Sequence, residues 1–186
     1  MSGIEGFAVL RDQALRSEIE AWWEWLQNQR GAKAELRRCD TVEAVLLCGA
    51  FRKLWVGLAA TGQRREKDLL AWASVAATLA EVKNKDGAEH SFAARLGCQK
   101  EKTGKPLVSE LRFAQLQKSR DNNTFLRRLR RALALVERKA PLLSLADSVL
   151  LWHQEQSGRQ SHKPTDRLAV RWAMDYFTAL DSYPTV

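Results

Sequence analysis

Apolar residues recur along this chain with the spacing of amphipathic helices. Over roughly residues 9–30, one helical face is formed by four residues at i, i+4, i+7 and i+11: Leu15, Ile19, Trp22 and Leu26. Gly31 is predicted to end this helix, because glycine is favoured just after a helix C-terminus. No alternation of apolar and polar residues is long enough to predict a strand. The pattern therefore predicts an all-α protein.

Three more helices are predicted in the first half of the chain. One is capped by Thr41 and continues to Leu58, a second covers residues 66–82, and a short third covers residues 91–96. Short turns between four helices favour an antiparallel four-helix bundle.

The polar segment 97–106 contains glycine and proline and is predicted to separate two small helical subdomains, residues 1–97 and 98–186. Helices are predicted over residues 109–118, 124–139, 144–156 and 165–180, and Pro141 is expected to end the second of them. The four candidate N-caps are Ser109, Thr124, Ser144 and Thr165.

The charge of the chain is concentrated in its second half. The 186 residues include 30 Lys or Arg and 22 Asp or Glu, a formal net charge of +8. Residues 1–96 hold 14 basic and 13 acidic residues, whereas residues 97–186 hold 16 and 9. We therefore expect the C-terminal helical bundle to be basic and to face a polyanion.

Several functional classes are not supported by the sequence. The apolar stretch 69–80 is too short for a membrane span of about 20 residues, and the N-terminus has no apolar signal core. Cys39, Cys48 and Cys98 are odd in number and without close pairing, which predicts reduced thiols and a cytoplasmic location. No metal-ligand spacing, nucleophile motif or cofactor motif is present, so we expect neither metal, cofactor nor catalytic residues.

One segment, residues 125–133, predicts a specific surface. At about 100° per residue, its leucines form one helical face, while Arg127, Arg131 and the later Arg138 fall opposite, with Arg128 and Arg130 flanking. Guanidinium groups pair bidentately with phosphate and stay charged at any working pH. A sugar–phosphate backbone is therefore a candidate ligand, and a merely solvated helix face is the alternative.

Further basic groups occur elsewhere in the chain. They are Lys33 with Arg37 and Arg38, the pair Arg52 and Lys53, and the linker residues Lys100, Lys102 and Lys105. Together they would suit a groove that follows a nucleic-acid backbone without reading bases.

At these residues the sequence resembles the small subunit of the type I-E CRISPR Cascade complex, the CasB family. The resemblance covers nearly the whole chain up to Leu180 and rests on an ordered set of four segments: residues 33–38, 108–116, 126–132 and 172–177. It implies an all-α protein of two subdomains with no catalytic activity. It also implies that two copies pack end to end in the complex, beside the other Cascade subunits.

The resemblance further implies contacts to guide RNA and to both strands of the target DNA once the R-loop opens. The predicted nucleic-acid-binding residues are Lys33, Arg37, Arg38, Arg112, Arg120, Arg127, Arg130 and Arg131. Arg112 is also a candidate for a buried structural arginine, since its helix carries apolar residues on several sides.

Three other functions fit parts of the sequence. Residues 109–139 have the outline of a helix-turn-helix DNA-binding regulator, although the N-terminal end of the second helix offers few base-reading side chains. A nuclease would need clustered carboxylates, which are not evident. A pure scaffold would bind no nucleic acid through these arginines.

Overall fold

Helices dominate the computed structural model, which describes residues 6–86, 90–101 and 103–182. No helix in these ranges is long and apolar enough to cross a membrane. Two 3-10 turns, Glu66–Asp68 and Pro164–Asp166, precede the fifth and tenth α-helices. The α-helices of the described residues are α1 (Gln13–Gln27), α2 (Arg30–Arg38), α3 (Val42–Val45), α4 (Gly49–Ala60), α5 (Leu69–Leu79), α6 (Phe92–Gly97), α7 (Glu110–Gln117), α8 (Asn122–Leu135), α9 (Leu142–Gln156) and α10 (Leu168–Asp181). The prediction of an all-α protein is thus confirmed.

The predicted first helix is shorter than expected. Helix α1 ends at Gln27, and Gly31 lies inside α2 instead of ending a helix. A straight continuation would place Leu36 about 80° away from Leu26 around the helix axis. The break at Asn28 and Gln29 turns the chain, so that Leu36 is fully buried in the core.

The predicted second helix is also divided in two. The Thr41 Oγ accepts the Ala44 N–H at 3.2 Å, which confirms the predicted N-cap. However, α3 ends at Val45 and α4 begins at Gly49. One straight helix would place Val42 and Phe51 on opposite faces, whereas the break lets both face the core.

In the second half, the predicted N-caps are correct for one helix only. Ser109 directly precedes α7, but Asp121 caps α8 by accepting the Thr124 N–H at 2.8 Å. Helix α9 starts after Pro141, and Arg167 precedes α10. Thr165 lies in the preceding 3-10 turn, and Ser144 within α9, where its Oγ accepts the Phe92 N–H at 2.9 Å.

Pro141 does not end α8, because the helix already stops at Leu135. Glu137 and Arg138 adopt left-handed backbone conformations with φ of 58° and 59°. The chain reverses there and forms a two-residue parallel pair between β1 (Asn84–Lys85) and β2 (Lys139–Ala140). These strands are too short to produce a recognisable alternation in the sequence.

The core runs through both predicted subdomains. Helix α5 is buried from Ala71 to Leu79 and packs against α8 and α9, while α6 packs along α10. The Asp147 carboxylate of α9 accepts backbone N–H groups of residues 8–10 at 2.8–2.9 Å. The division at residue 97 remains a prediction.

Candidate nucleic-acid interface

The C-terminus of α2 is held against α8 by Arg130. Its Nη1 donates to the Cys39 carbonyl at 2.6 Å and its Nη2 to the Leu36 carbonyl at 3.0 Å. The last carbonyls of a helix lack intrahelical partners and carry partial negative charge, so a guanidinium is a favourable cap. The Arg130 side chain is only 17% exposed, and burial lowers its pKa below the usual value.

A buried carboxylate lies at the centre of this contact. Glu81, which is 4% exposed, follows the end of α5. Its Oε2 is 3.2 Å from Arg37 Nε and also accepts a hydrogen bond from Arg138 Nη1. Its Oε1 is 3.4 Å from Arg130 Nε. We call these four residues the Glu81 cluster; three guanidinium groups share one carboxylate, so the cluster carries excess positive charge.

Lys33 lies beside the Glu81 cluster. Its ammonium donates to the Val82 carbonyl at 3.4 Å and to the side-chain oxygen of Gln27. Burial, and then the nearby charges of Arg37, Lys83 and Arg138, lower the pKa of Lys33. The fold therefore brings the predicted group of Lys33 and Arg37 together with Arg138, which follows the C-terminal end of α8.

The outer face of α8 carries Arg127 and Arg131, which are both exposed. On one flank, Arg128 donates to the Gln115 carbonyl at 2.6 Å and to Ser119 Oγ at 3.1 Å, which joins α8 to α7. On the other flank, Arg130 reaches α2. Because residues 127 and 131 lie between these two directions on the helical circle, their guanidiniums project between α7 and α2.

The remaining predicted residues are exposed around this face. Arg38 ends α2, Arg112 lies in α7 one turn before Gln115, and Arg120 lies in the α7–α8 connection. Within the described residues, the side chains of these three arginines form no hydrogen bond or ion pair. The alternative of a buried structural Arg112 is therefore wrong: Arg112 is exposed, and the buried face of α7 is formed by Phe113 and Leu116.

Two of the five arginines predicted on or beside the polar face of this helix, Arg130 and Arg138, have different neighbours from those expected. Arg138 lies beyond the end of α8 and binds Glu81, because the left-handed turn redirects it from the helix face. Arg130 is largely engaged by protein groups, and its predicted phosphate contact remains a prediction. Sequence reasoning missed Glu81, although an acid directly after the uncharged stretch 69–80 is a signal for a buried, paired carboxylate.

The other basic groups do not join the Glu81 cluster through any contact among the described residues. Arg52 donates to the Leu47 carbonyl at 2.7 Å, and the Lys53 ammonium lies 5.0 Å from the centre of the Trp25 ring. Lys100 and Lys105 are exposed in the segment before α7, and Lys102 lies outside the described residues.

Two of the three cysteines, which form no close pair in the sequence, lie side by side in the fold as the predicted free thiols. Cys39 follows α2 and Cys48 precedes α4, and their sulfur atoms are 3.4 Å apart as free thiols. Burial first, and then the Cys39 contact, raises the pKa of Cys48 to about 12, which favours the protonated thiol at neutral pH. The two thiols thus fill the junction where α2 meets α4.

No group of three or more metal-binding side chains occurs in the part of the chain that the structure describes.

Comparison with known proteins identifies the family. The profile of the family described as CRISPR-associated protein Cse2 matches residues 32–177, more than three quarters of the chain. Searches of curated proteins and of solved structures gave no significant match. The matched range includes every interface residue, from Lys33 before the end of α2 to Arg138 after α8. The chain therefore belongs to the Cse2 family, the small subunits of the type I-E CRISPR Cascade complex.

Proposed function

We propose that this subunit binds the sugar–phosphate backbones of the Cascade R-loop, formed by guide RNA, target strand and displaced strand. The contact surface is the outer face of α8 with the adjoining ends of α2 and α7. The observation that carries the proposal is the exposure of Arg127 and Arg131 between those helices, beside a cluster with excess positive charge. Arg38, Arg112 and Arg120 extend the surface.

The physical role of such a surface follows from the energetics of R-loops. Exchange of a DNA duplex for an RNA–DNA heteroduplex is nearly balanced in free energy, so a few protein–phosphate contacts shift it towards the open state. Sequence is read by the guide RNA, and the protein needs only to neutralise phosphates. Arginines without base-reading partners are suited to that task.

The same proposal includes the setting of the subunit. Family membership supports contacts with the other Cascade subunits in the cytoplasm. A second copy of the chain, packed end to end in the complex, is the arrangement we expect for the continuous track that a displaced strand requires.

The packing around α8 disfavours the helix-turn-helix alternative. A recognition helix presents its N-terminal residues to base edges. Here Asn123, in the first turn of α8, accepts the Val42 N–H at 2.9 Å and also contacts Glu43. This end of α8 is therefore engaged by α3, and the arginines further along are better placed for phosphates.

The test is the salt dependence of binding to a labelled single-stranded DNA, measured by fluorescence anisotropy with the full chain. Arg127→Ala/Arg131→Ala removes two exposed cations from α8. The matched control, Arg65→Ala/Lys67→Ala, also removes two exposed cations. These residues lie just before the N-terminus of α5, whereas Glu81 follows its C-terminus. A single-strand phosphate contact contributes a slope of about −0.7 to log K against log salt concentration.

We expect the α8 variant to flatten the slope by about 1.4 and the control variant to leave it unchanged. Assembled Cascade carrying the α8 variant should form R-loops more slowly at physiological salt. Equal slopes for the wild type and the α8 variant would refute the proposal and favour the scaffold function. A marked preference among unrelated DNA sequences would favour the regulator, and metal-dependent loss of intact DNA would favour a nuclease.

A further inference from the structure

The Glu81 cluster has an excess of positive charge, and several N–H donors of its arginines form no hydrogen bond within the described residues. Arg37 contacts Glu81 through Nε, so its Nη1 and Nη2 have no partner among the described residues. Arg138 uses Nη1 and leaves Nε and Nη2 without a partner in the same part of the chain. Arg130, by contrast, donates both Nη groups to backbone carbonyls. The Arg37 and Arg138 side chains are 36% and 26% exposed, so their remaining donors are accessible to a ligand.

A carboxylate that holds arginines in this way orients them. Each guanidinium has five N–H donors in a rigid plane, so fixing one nitrogen also fixes the direction of the others. An unrestrained arginine loses rotamer freedom when a ligand immobilises it. A side chain that is already held by the protein loses less of this freedom on binding.

We infer that Glu81 is the positioning residue of an anion-binding site whose ligand groups are Arg37 and Arg138, and whose ligand is a backbone phosphate of the bound nucleic acid. Arg130 anchors the site by fixing the end of α2, from which Arg37 projects. Lys33 adds a further positive charge beside it. This inference rests on the proposed function and assigns one phosphate position within it.

Positioning and bulk charge predict opposite results for one substitution. Glu81→Gln removes a negative charge from a basic surface, so bulk electrostatics predicts tighter binding of nucleic acid. If Glu81 positions the arginines, its loss frees Arg37 and Arg138 and weakens binding despite the added positive charge. The matched control is Glu24→Gln in α1, since Glu24 is exposed and also forms an ion pair, at 2.9 Å from Lys85 Nζ.

The measurement is the affinity for single-stranded DNA as a function of salt, at a temperature where circular dichroism shows every variant folded. We expect Glu81→Gln to weaken binding severalfold and to flatten the slope by about 0.7 to 1.4, the loss of one or two phosphate contacts. Glu24→Gln should keep the wild-type slope. Wild-type or tighter binding by folded Glu81→Gln overturns the inference.

Replacement of the buried Glu81 places three cations together without a counter-ion, so a second variant keeps the test decisive if Glu81→Gln does not fold. Arg37→Lys retains the surface charge. However, Arg37 pairs with Glu81 through Nε and can offer Nη1 and Nη2 to a phosphate, whereas a lysine has only one nitrogen for both partners. We expect Arg37→Lys to bind as weakly as Arg37→Ala. Binding by Arg37→Lys that equals the wild type overturns the positioning role.

The two proposals fail in distinguishable ways. Suppose that Arg127→Ala/Arg131→Ala flattens the salt slope while Arg37→Lys and Glu81→Gln bind like the wild type. Phosphate binding by the outer face of α8 is then supported, and the positioning role of Glu81 is refuted. If the wild type itself shows no salt-dependent binding, alone or in Cascade, both proposals are refuted.

Discussion

Substitution of Gly97 tests how closely α6 and α10 are packed. Gly97 is the last residue of α6, and its Cα faces the backbone of Tyr176 in α10. A Cβ at this position would lie 2.9 Å from the carbonyl carbon and 3.1 Å from the Cα of Tyr176, and closer still to the carbonyl oxygen. Carbon atoms in favourable contact are about 3.5–4.0 Å apart, so Gly97→Ala requires the helices to separate by roughly 0.5–1 Å.

The free-energy cost of this separation comes from the packing contacts between α6 and α10 that it loosens. Phe92, Leu96 and Tyr176 are fully buried at the α6–α10 contact, and the ring of Phe92 packs edge-on against Trp172 at 5.8 Å. A gap of 0.5–1 Å removes about a quarter to a half of the dispersion energy of the affected contacts. Overpacking of this kind costs about 1–3 kcal/mol. For a chain of this size we expect the melting temperature to fall by about 3–10 °C.

The matched control is Gly57→Ala in α4. The added Cβ would lie 2.6 Å from Glu18 Cδ, but this neighbour is the end of a flexible side chain that can rotate away. Alanine is favoured over glycine inside a helix by about 0.5–1 kcal/mol, so this variant should be neutral or slightly stabilised. Thermal unfolding followed by circular dichroism compares the two. If the Gly97→Ala and Gly57→Ala variants have the same melting temperature, the predicted steric cost is wrong.

Three further substitutions test other contacts. Asp147→Asn removes an acceptor for one of three backbone N–H groups, and we expect a loss of about 1–3 kcal/mol in thermal unfolding, with faster hydrogen exchange at residues 8–10. Arg130→Ala removes the hydrogen-bond donor of the Cys39 and Leu36 carbonyls, while Glu81 keeps Arg37 and Arg138. Chemical denaturation should therefore show a loss of about 1–3 kcal/mol, against at most about 0.5 kcal/mol for the exposed Arg131→Ala. Burial lowers the pKa of His153 to about 4, so the unfolded chain alone takes up this proton as the pH falls from 6.5 to 4. Stability should therefore decline over that interval by up to about 3 kcal/mol more in the wild type than in His153→Gln; parallel pH profiles for the two proteins would contradict this.

The helical class and most helix positions could be predicted because the buried stripes are periodic. Leu15, Ile19 and Leu26 are all buried on α1, as their spacing indicates. The breaks were not predicted, because they depend on where the chain must turn to bury residues such as Leu36. Local signals there compete with tertiary packing, which decides the helix ends.

The interface could be predicted in composition but not in geometry. A helical projection of α8 correctly places Arg127 and Arg131 on an exposed face. It gives no information about Arg130, whose surroundings depend on where α2 ends, or about Glu81, which is distant from the arginines in sequence. Such long-range partners appear only when the chain is folded.

The long-range contacts of α9 and α10 have a consequence for synthesis of the protein. Residues 8–10 bind Asp147, and α6 packs along α10. While the nascent chain leaves the ribosome, residues 8–10 and α6 therefore lack these partners until residues 142–181 have been translated. A ribosome that stalls before α10 releases a product with the apolar surface of α6 uncovered. Uncovered apolar surface of this kind makes a truncated product prone to aggregation and to proteolysis.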